Sequence, residues 1–421
     1  MPGPQLQALR RAVVPAPGPV RPLALATFTS RVGRGLFYTV LPLYLTRSVD
    51  LPASRVALGL TLASLVGLLA GIPAGHLADR LGPRGVRAVV RAAEALLLCG
   101  YTLVGNFAAF LVVACLVTFF ESAGLAAEGA LIAGSVPTEH RVRTRAYLRS
   151  VTNAAWSLGA LLAGAALLRD TRTAYVLVML GAAACYLASA LATLRVPAVP
   201  PVPRKQDGPR RVALRDRPYA ALTLLNGVLG MNLGLFTVAL PLFIAARTNA
   251  PVALYSLLAL INTVAATVFQ VRASRGTDTV AGAASAQSRS GLLLAACCIL
   301  FAAADGRSAW VAGAFLIAGC AVHVAGELLQ AAGSWGLSFE LAPEDAVGQY
   351  QGLYGMGRDL GQILTPVVAT GALVDGGGTG ALLLGGVFLA AGLAVPPTAR
   401  WAERSRATAA SVPAAPGTAL P

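Results

Sequence analysis

Gly75-His76-Leu77-Ala78-Asp79-Arg80-Leu81-Gly82-Pro83-Arg84-Gly85 lies between two apolar runs, each long enough to span a membrane. One carboxylate and two guanidinium groups on a glycine-bounded stretch do not belong in a bilayer core. They mark a loop at a bilayer face, joining two spans. Such a loop suits a hinge between helices better than a soluble active site.

The chain around this stretch has a membrane composition. Its 421 residues are 56% hydrophobic and only 12% charged, with mean hydropathy +0.68. Soluble domains carry about 25% charged residues. Apolar runs fall near residues 22–45, 54–76, 86–105, 108–134, 147–168 and 173–195, then 218–245, 251–272, 286–304, 308–332, 349–373 and 378–397. A span needs about 20 residues, so the length suits about twelve of them. Inside a bilayer every backbone polar group needs an internal partner, and barrel-type alternation is absent, so the runs are expected to be helices. The fold class is an all-α membrane protein of about twelve transmembrane helices in two pseudo-symmetric six-helix bundles. Its expected organisation is an N-terminal segment 1–21, a first bundle 22–196, a proline- and charge-rich linker 197–217, a second bundle 218–398, and a disordered tail 399–421. Residues 1–20 lack an apolar core and do not read as a cleavable signal.

The net charge of +15 raises nucleic-acid binding, but the arginines sit at the ends of apolar runs and form no continuous basic face. Their asymmetry gives an orientation. With the N-terminus inside, Arg80, Arg84, Arg87, Arg141, Arg143, Arg145, Arg204 and Lys205 fall on the cytoplasmic side. The opposite side receives only Arg47, Arg55, Arg169, Arg172, Arg247 and Arg307. Both termini are then cytoplasmic. The six cysteines all fall inside apolar runs and read as small buried hydrophobes. No metal-ligand spacing, Walker loop or Ser/His/Asp arrangement appears, so no cofactor, no metal site, no enzyme and no ATP-driven pump is expected.

The two halves repeat. Gly35-Leu-Phe-Tyr-Thr-Val-Leu-Pro-Leu-Tyr44 recurs as Gly234-Leu-Phe-Thr-Val-Ala-Leu-Pro-Leu-Phe243, and at the same offset Pro52 meets Pro251 and Asp79 meets Asp278. At a slightly longer offset Glu121 meets Glu327 and Pro137 meets Pro343.

Gly75, Leu77, Ala78, Asp79, Arg80, Gly82 and Arg84 match the signature loop of the major facilitator superfamily, Gly-x-Leu-Ala-Asp-Arg-x-Gly-x-Arg. The chain resembles that family over about residues 22–397, and most of all its bacterial twelve-helix drug-efflux members. The resemblance implies two bundles around a central cavity, with rocking of one against the other. It also implies that the signature loop couples the halves at their cytoplasmic ends. Asp79 is then expected either to pair with an arginine of its own loop or to receive amides from a neighbouring helix N-terminus. Drug/proton antiporters of the family often carry an arginine in the fourth helix, four residues before a glycine. Here that position, counted back from Gly124, is Phe120. Their glycine- and proline-rich fifth-helix motif is reduced to Gly159 and Gly164.

Ionisable groups inside the apolar runs are expected to face a cavity or a partner. Arg31 and Arg34 share one face of the first run. Glu121 and Glu128 share one face of the fourth, and His323 and Glu327 stand at i, i+4 in the tenth. Arg31 or Arg34 is expected to pair with Glu121 or Glu128. These four charged groups, with Glu327, are the proton-coupling candidates, because burial favours a neutral carboxylate and a nearby guanidinium an ionised one. The alternative is a fixed salt bridge. Arg149 and Arg358 are expected near cytoplasmic ends, snorkelling. Asp278, Arg358 and Asp359 are candidates for a cytoplasmic gate. Phe37, Tyr38, Trp156 and Phe236, with Asn153, Asn226, Asn232 and His323, are cavity candidates.

The expected function is a secondary active transporter, monomeric in a lipid bilayer, exporting small amphipathic or cationic molecules against protons. An uptake symporter or facilitator on the same fold is the alternative. A non-transporting membrane receptor is a second. Nucleic acid is not an expected partner.

Overall fold

In the computed structural model the described residues are 18–167, 171–201 and 212–411. They form twelve long helices. The first six are α1 (Val20–Arg47), α2 (Ala53–Leu81), α3 (Pro83–Tyr101), α4 (Phe107–Ser135), α5 (Thr138–Leu167) and α6 (Arg172–Thr193). After a single turn at Val212–Arg215 come α7 (Arg217–Arg247), α8 (Leu254–Ala273), α9 (Val280–Ala304), α10 (Ala309–Glu340), α11 (Val347–Thr370) and α12 (Gly377–Ser411). No strand occurs among the described residues.

Eight of the helices are long and apolar enough to cross a membrane by length and composition. The other four, α1, α3, α5 and α11, carry Arg31 and Arg34, Arg87, Arg91 and Glu94, Arg145 and Arg149, and Arg358 and Asp359. Each of these four thus brings charge into the bundle. Large apolar side chains such as Leu69, Leu103, Leu161, Val367 and Leu383 point outward and stand exposed. Acyl chains remove the solvation cost that such a surface would carry in water.

The quoted stretch is mostly helix. Residues 75–81 complete α2, and the turn shrinks to Gly82, at φ +87°, before Pro83 opens α3. Glycine reaches that left-handed conformation without strain. Proline's fixed φ and missing amide suit the first helical position. The expected loop is thus a helix end with a one-residue stop.

α1 packs on α5 and α6, α2 and α3 on α4, and α3 on α6, giving one bundle. α9 packs on α10 and α12, and α7 on α11 and α12, giving the other. Each has its own apolar core. Phe37, Leu41, Tyr44, Tyr101, Phe110 and Met179 centre the first, and Leu222, Phe236, Phe243, Phe301 and Phe388 the second. The halves meet through α2 and α4 against α11, and α5 against α8 and α10.

α7 is interrupted. An α-helical piece Arg217–Gly230 gives way at Met231, and after Asn232–Gly234 a π-turn runs over Leu235–Ala239. Pro241 follows in the closing segment Leu240–Arg247. It cannot donate to the carbonyl one turn back, and the wider π spacing absorbs the lost bond. α11 ends in a similar π-turn at Gly371–Asp375, after Pro366.

The tail departs from expectation. Residues 399–411 continue α12, where Ala, Arg and Glu favour helix, and Arg406 binds Asp216 at 2.8 Å. Residues 412–421, most of the N-terminal segment 1–21, and 202–211 of the linker lie outside the described residues.

Candidate functional site

Asp79 sits in the last turns of α2 and reaches into the other half. Gly348 N–H donates to its Oδ1 at 2.7 Å and Gln349 N–H to its Oδ2 at 3.1 Å. Both amides belong to the first turn of α11, where helix N–H groups have no internal partner and the dipole favours negative charge. Gln349 also joins His76 through its side chain at 2.9 Å. The helices approach this closely because Gly71 and Gly75 face Gly352 and Gly348. A β-carbon on Gly75 would collide with the Gly348 carbonyl. Neither arginine of the motif pairs with Asp79; Arg84 instead donates to the Val196 carbonyl at 3.3 Å.

The repeat is not matched at Asp278. That residue lies between α8 and α9, half-buried, with Oδ1 lacking a partner among the described residues. Burial pushes its carboxyl up, offset in part by His140. The two halves are therefore fastened asymmetrically.

On α1 and α4, Arg34 forms an ion pair with Glu121. Tyr38 donates its hydroxyl to the other carboxylate oxygen at 2.9 Å. Trp156 of α5 stacks on Tyr38 with ring centroids 6.0 Å apart, and the Arg34 guanidinium lies 5.1 Å from the Trp156 ring. Arg31, one turn earlier, is buried and has no ion pair among the described residues. It lies within electrostatic reach of both Glu128 and Glu121.

Glu128 takes other partners. Arg87 of α3 and Arg145 of α5 each bind one of its oxygens at 3.1 Å. Arg87 is thus inside the bundle, fully buried, and not on the cytoplasmic surface where the charge asymmetry placed it. Arg91 and Glu94, also fully buried, pair at 2.8 Å. The sequence reading overlooked this pair, although two opposite charges three residues apart in an apolar run meet the criterion that selected Arg31 and Arg34.

In the second half, Glu327 of α10 is held by Asn262 of α8 at 3.0 Å and by Arg149 of α5 at 3.4 Å. Arg149 therefore sits mid-helix and bridges the two halves; it does not snorkel. Arg358 is likewise mid-helix and binds its neighbour Asp359 at 2.8 Å, so this pair forms no bridge between halves. His323 is fully buried, with Nε2 3.0 Å from the Asn232 carbonyl and its ring stacked on Phe236. The interruption of α7 brings that carbonyl to it. Asn226 accepts from Gln287 and from Gln330.

Several of these groups line a space between the halves, although Tyr38, Trp156 and His323 line neither of its chambers. An inner chamber of about 120 Å³ is lined by Arg145, Arg149, Asn226, Asn232, Glu327 and Arg358, with Asp359 and several glutamines. Gly71 and Gly352 close it towards Asp79. An outer chamber of about 390 Å³ adjoins it and contains Arg34 and Glu121; Ser122, Leu125, Asp359 and Gln362 line both. Phe37 and Phe236 are core residues and face neither chamber, because their apolar rings pack against Tyr101 and His323. Asn153 is half-buried on α5 and away from both chambers. Among the described residues no His/Cys/Asp/Glu cluster is built to hold a metal ion.

Comparison with known proteins agrees with this architecture. A family model described as Major Facilitator Superfamily matches residues 23–366. No curated protein matches the chain. A bacterial homologue of the iron transporter ferroportin in the outward-facing state is similar in structure, with TM-score 0.71 and 16% identity, covering 92% of this chain and 99% of its own. The transporter FucP in the outward conformation gives TM-score 0.70 and 16% identity, over 93% and 99%. The human organic anion transporter MFSD10 gives 0.66 and 18%, over 92% and 99%. At such identities the likeness is one of fold.

Proposed function

Because the chain belongs to the Major Facilitator Superfamily, we propose that it is a proton-coupled secondary transporter working by alternating access, and that it exports its substrate. As a member of that family it is an integral membrane protein that moves small molecules, and it is not an enzyme. The observation that carries proton coupling is the place of Glu121. Its carboxylate lines the outer chamber while bound by Arg34 and Tyr38. Exchanging a guanidinium partner for a proton changes the local charge by one in a low-dielectric setting. There a single charge is worth several times its value in water. That change is enough to bias one arrangement of the halves over another.

The Asp79 seam is the mechanical counterpart. Two charge-assisted hydrogen bonds and a glycine contact join the halves at one end, and the chambers lie on the far side of that seam. The arginine asymmetry of the sequence supports a cytoplasmic seam, and on that orientation this arrangement is the outward-facing one. Export is the direction carried over from the resemblance to twelve-helix efflux members, with uptake by a symporter or facilitator as the alternative.

The test is flux in proteoliposomes under an imposed pH gradient, with a panel of labelled sugars, carboxylic acids, dyes and antibiotics. Gradient-driven efflux abolished by Glu121→Gln is the expected result. Flux equally gradient-driven in that variant removes Glu121 from coupling. Substrate moving with the proton gradient reverses the assigned direction.

A further inference from the structure

The buried charges between the helices do not balance, and on the wall of the inner chamber itself Arg145, Arg149 and Arg358 face two carboxylates, Glu327 and Asp359. Glu94, Glu121, Glu327 and Asp359 each neutralise one arginine. Glu128 serves two, Arg87 and Arg145, and Arg31 has no carboxylate in ion-pair contact among the described residues. Two guanidinium groups are thus left without a full counter-charge in a protein interior. Arginine cannot shed its proton to relieve this. Of the cations on the chamber wall, Arg149 and Arg358 are the most accessible. Each has about a third of its side chain exposed, and their partners leave guanidinium N–H donors unused. Arg145 lies within electrostatic reach of both, so the three repel one another across the chamber.

The rest of the wall is polar. Gln330, Gln351 and Gln362 line the chamber, and Asn226 presents an amide already oriented by Gln287 and Gln330. Asn232, 2% exposed, lines it too, with an Oδ1 that has no partner among the described residues. A buried acceptor without a donor is destabilising, and a ligand N–H or O–H would relieve it. Among large aromatics Trp335 and Tyr354 reach this wall. A lipophilic cation would meet three like charges against two carboxylates, and few ring faces.

We propose, building on the transporter reading above, that the inner chamber takes a small hydrophilic organic anion, its carboxylate held by Arg149 and Arg358 and a hydroxyl or amine donor by Asn232. Planar guanidinium groups match carboxylate geometry and supply strong charge-assisted hydrogen bonds. The bound anion would offset the one positive charge by which the arginines of the chamber wall exceed its carboxylates. This replaces the amphipathic or cationic solutes expected from the sequence. That expectation rested on the efflux resemblance and on an aromatic set of which Phe37 and Phe236 are spent on the cores, Tyr38 and Trp156 line neither chamber, and Trp335 alone reaches this wall.

The test uses full-length protein in nanodiscs with three labelled sets of probes: lactate and gluconate, the uncharged glycerol and glucose, and the lipophilic cation tetraphenylphosphonium. Saturable binding of at least one anion is expected, with neither neutral analogue nor cation competing. Arg149→Gln and Arg358→Gln are each expected to weaken it about tenfold or more, and Arg149→Lys to restore part of the loss. Both positions are partly exposed, so at least one variant should retain its fold, checked by thermal unfolding. Saturable tetraphenylphosphonium binding without anion binding overturns the proposal, as does absence of anion binding up to millimolar concentration. Anion binding unmoved by either arginine variant overturns the assigned site. Anion binding without pH-driven flux would leave this inference standing and defeat proton coupling. Proton-driven flux of the cation alone would do the reverse.

Discussion

Asp79 on α2 accepts the Gly348 amide of α11 at 2.7 Å, across 269 residues of sequence and from one half of the molecule to the other. A carboxylate here does what an N-cap residue does within one helix, but in trans. It satisfies amides that otherwise have no partner, and it lies at the positive end of the α11 dipole. Replacing it by asparagine keeps one acceptor and removes the charge. Hydrogen bonds to charged groups contribute roughly 1.5–3 kcal/mol, so Asp79→Asn should weaken the seam by about that order. Spin labels at the ends of α2 and α11 should report a larger fraction of molecules separated at this end. An unchanged distance distribution would show that the glycine contact alone holds the seam.

The glycine contact makes its own prediction. A methyl group at Gly75 would collide with the Gly348 carbonyl, which is backbone and cannot swing aside. Gly75→Ala should therefore open the same end as Asp79→Asn. Gly181 and Gly164 have nothing within reach of an added β-carbon, and alanine at either should leave the distances unchanged. Equal behaviour of all three variants would mean that the approach of α2 and α11 is not limited by side-chain bulk.

How much of this was legible from residue order differs by level. Helix number and the division into halves follow from apolar run lengths and from the repeat between Gly35–Tyr44 and Gly234–Phe243. Run lengths undershoot the helices, because α2 continues through Asp79 and Arg80 to a stop set by the φ of Gly82. Buried charge was recognisable at Arg34 and Glu121, whose neighbours in the run are apolar. Arg87 and Arg145 stand close to run ends, where the sequence looks the same whether an arginine faces water or a buried glutamate. Only the crossing of α3, α4 and α5 at Glu128 decides between these. Phe37 and Phe236 were assigned to a cavity on residue type alone, and residue type does not say which face of a helix a ring occupies.

Glu128 separates structural charge from functional charge. Its carboxylate is the direct partner of Arg87, which is fully buried. Removing one member of a buried pair typically costs about 3–5 kcal/mol, because the other charge is stranded. Glu128→Gln should thus lower the thermal unfolding midpoint in detergent markedly. Combining it with Arg87→Met should recover most of the loss, since no stranded guanidinium remains at that contact. A double variant no more stable than Glu128→Gln would show that Arg145 or Arg31 is the charge that Glu128 mainly compensates.

Arg149 and Glu327 should behave in the opposite way. They join the two halves at 3.4 Å, and Arg149 keeps about a third of its side chain exposed. An ion pair of that kind usually contributes roughly 0.2–1 kcal/mol, and Asn262 continues to support the Glu327 side chain when the arginine is gone. Such a contact can be broken and remade as the halves move, which a pair like Arg87 and Glu128 cannot do cheaply. In a double-mutant cycle of Arg149→Gln and Glu327→Gln, the coupling in unfolding free energy should therefore fall below about 1 kcal/mol. The rate of conformational exchange, followed with the α2 and α11 spin labels, should nonetheless change in both single variants. A coupling of several kcal/mol would make this pair a fixed strut. It would also leave Glu121 and the Asp79 seam as the only elements here suited to switching.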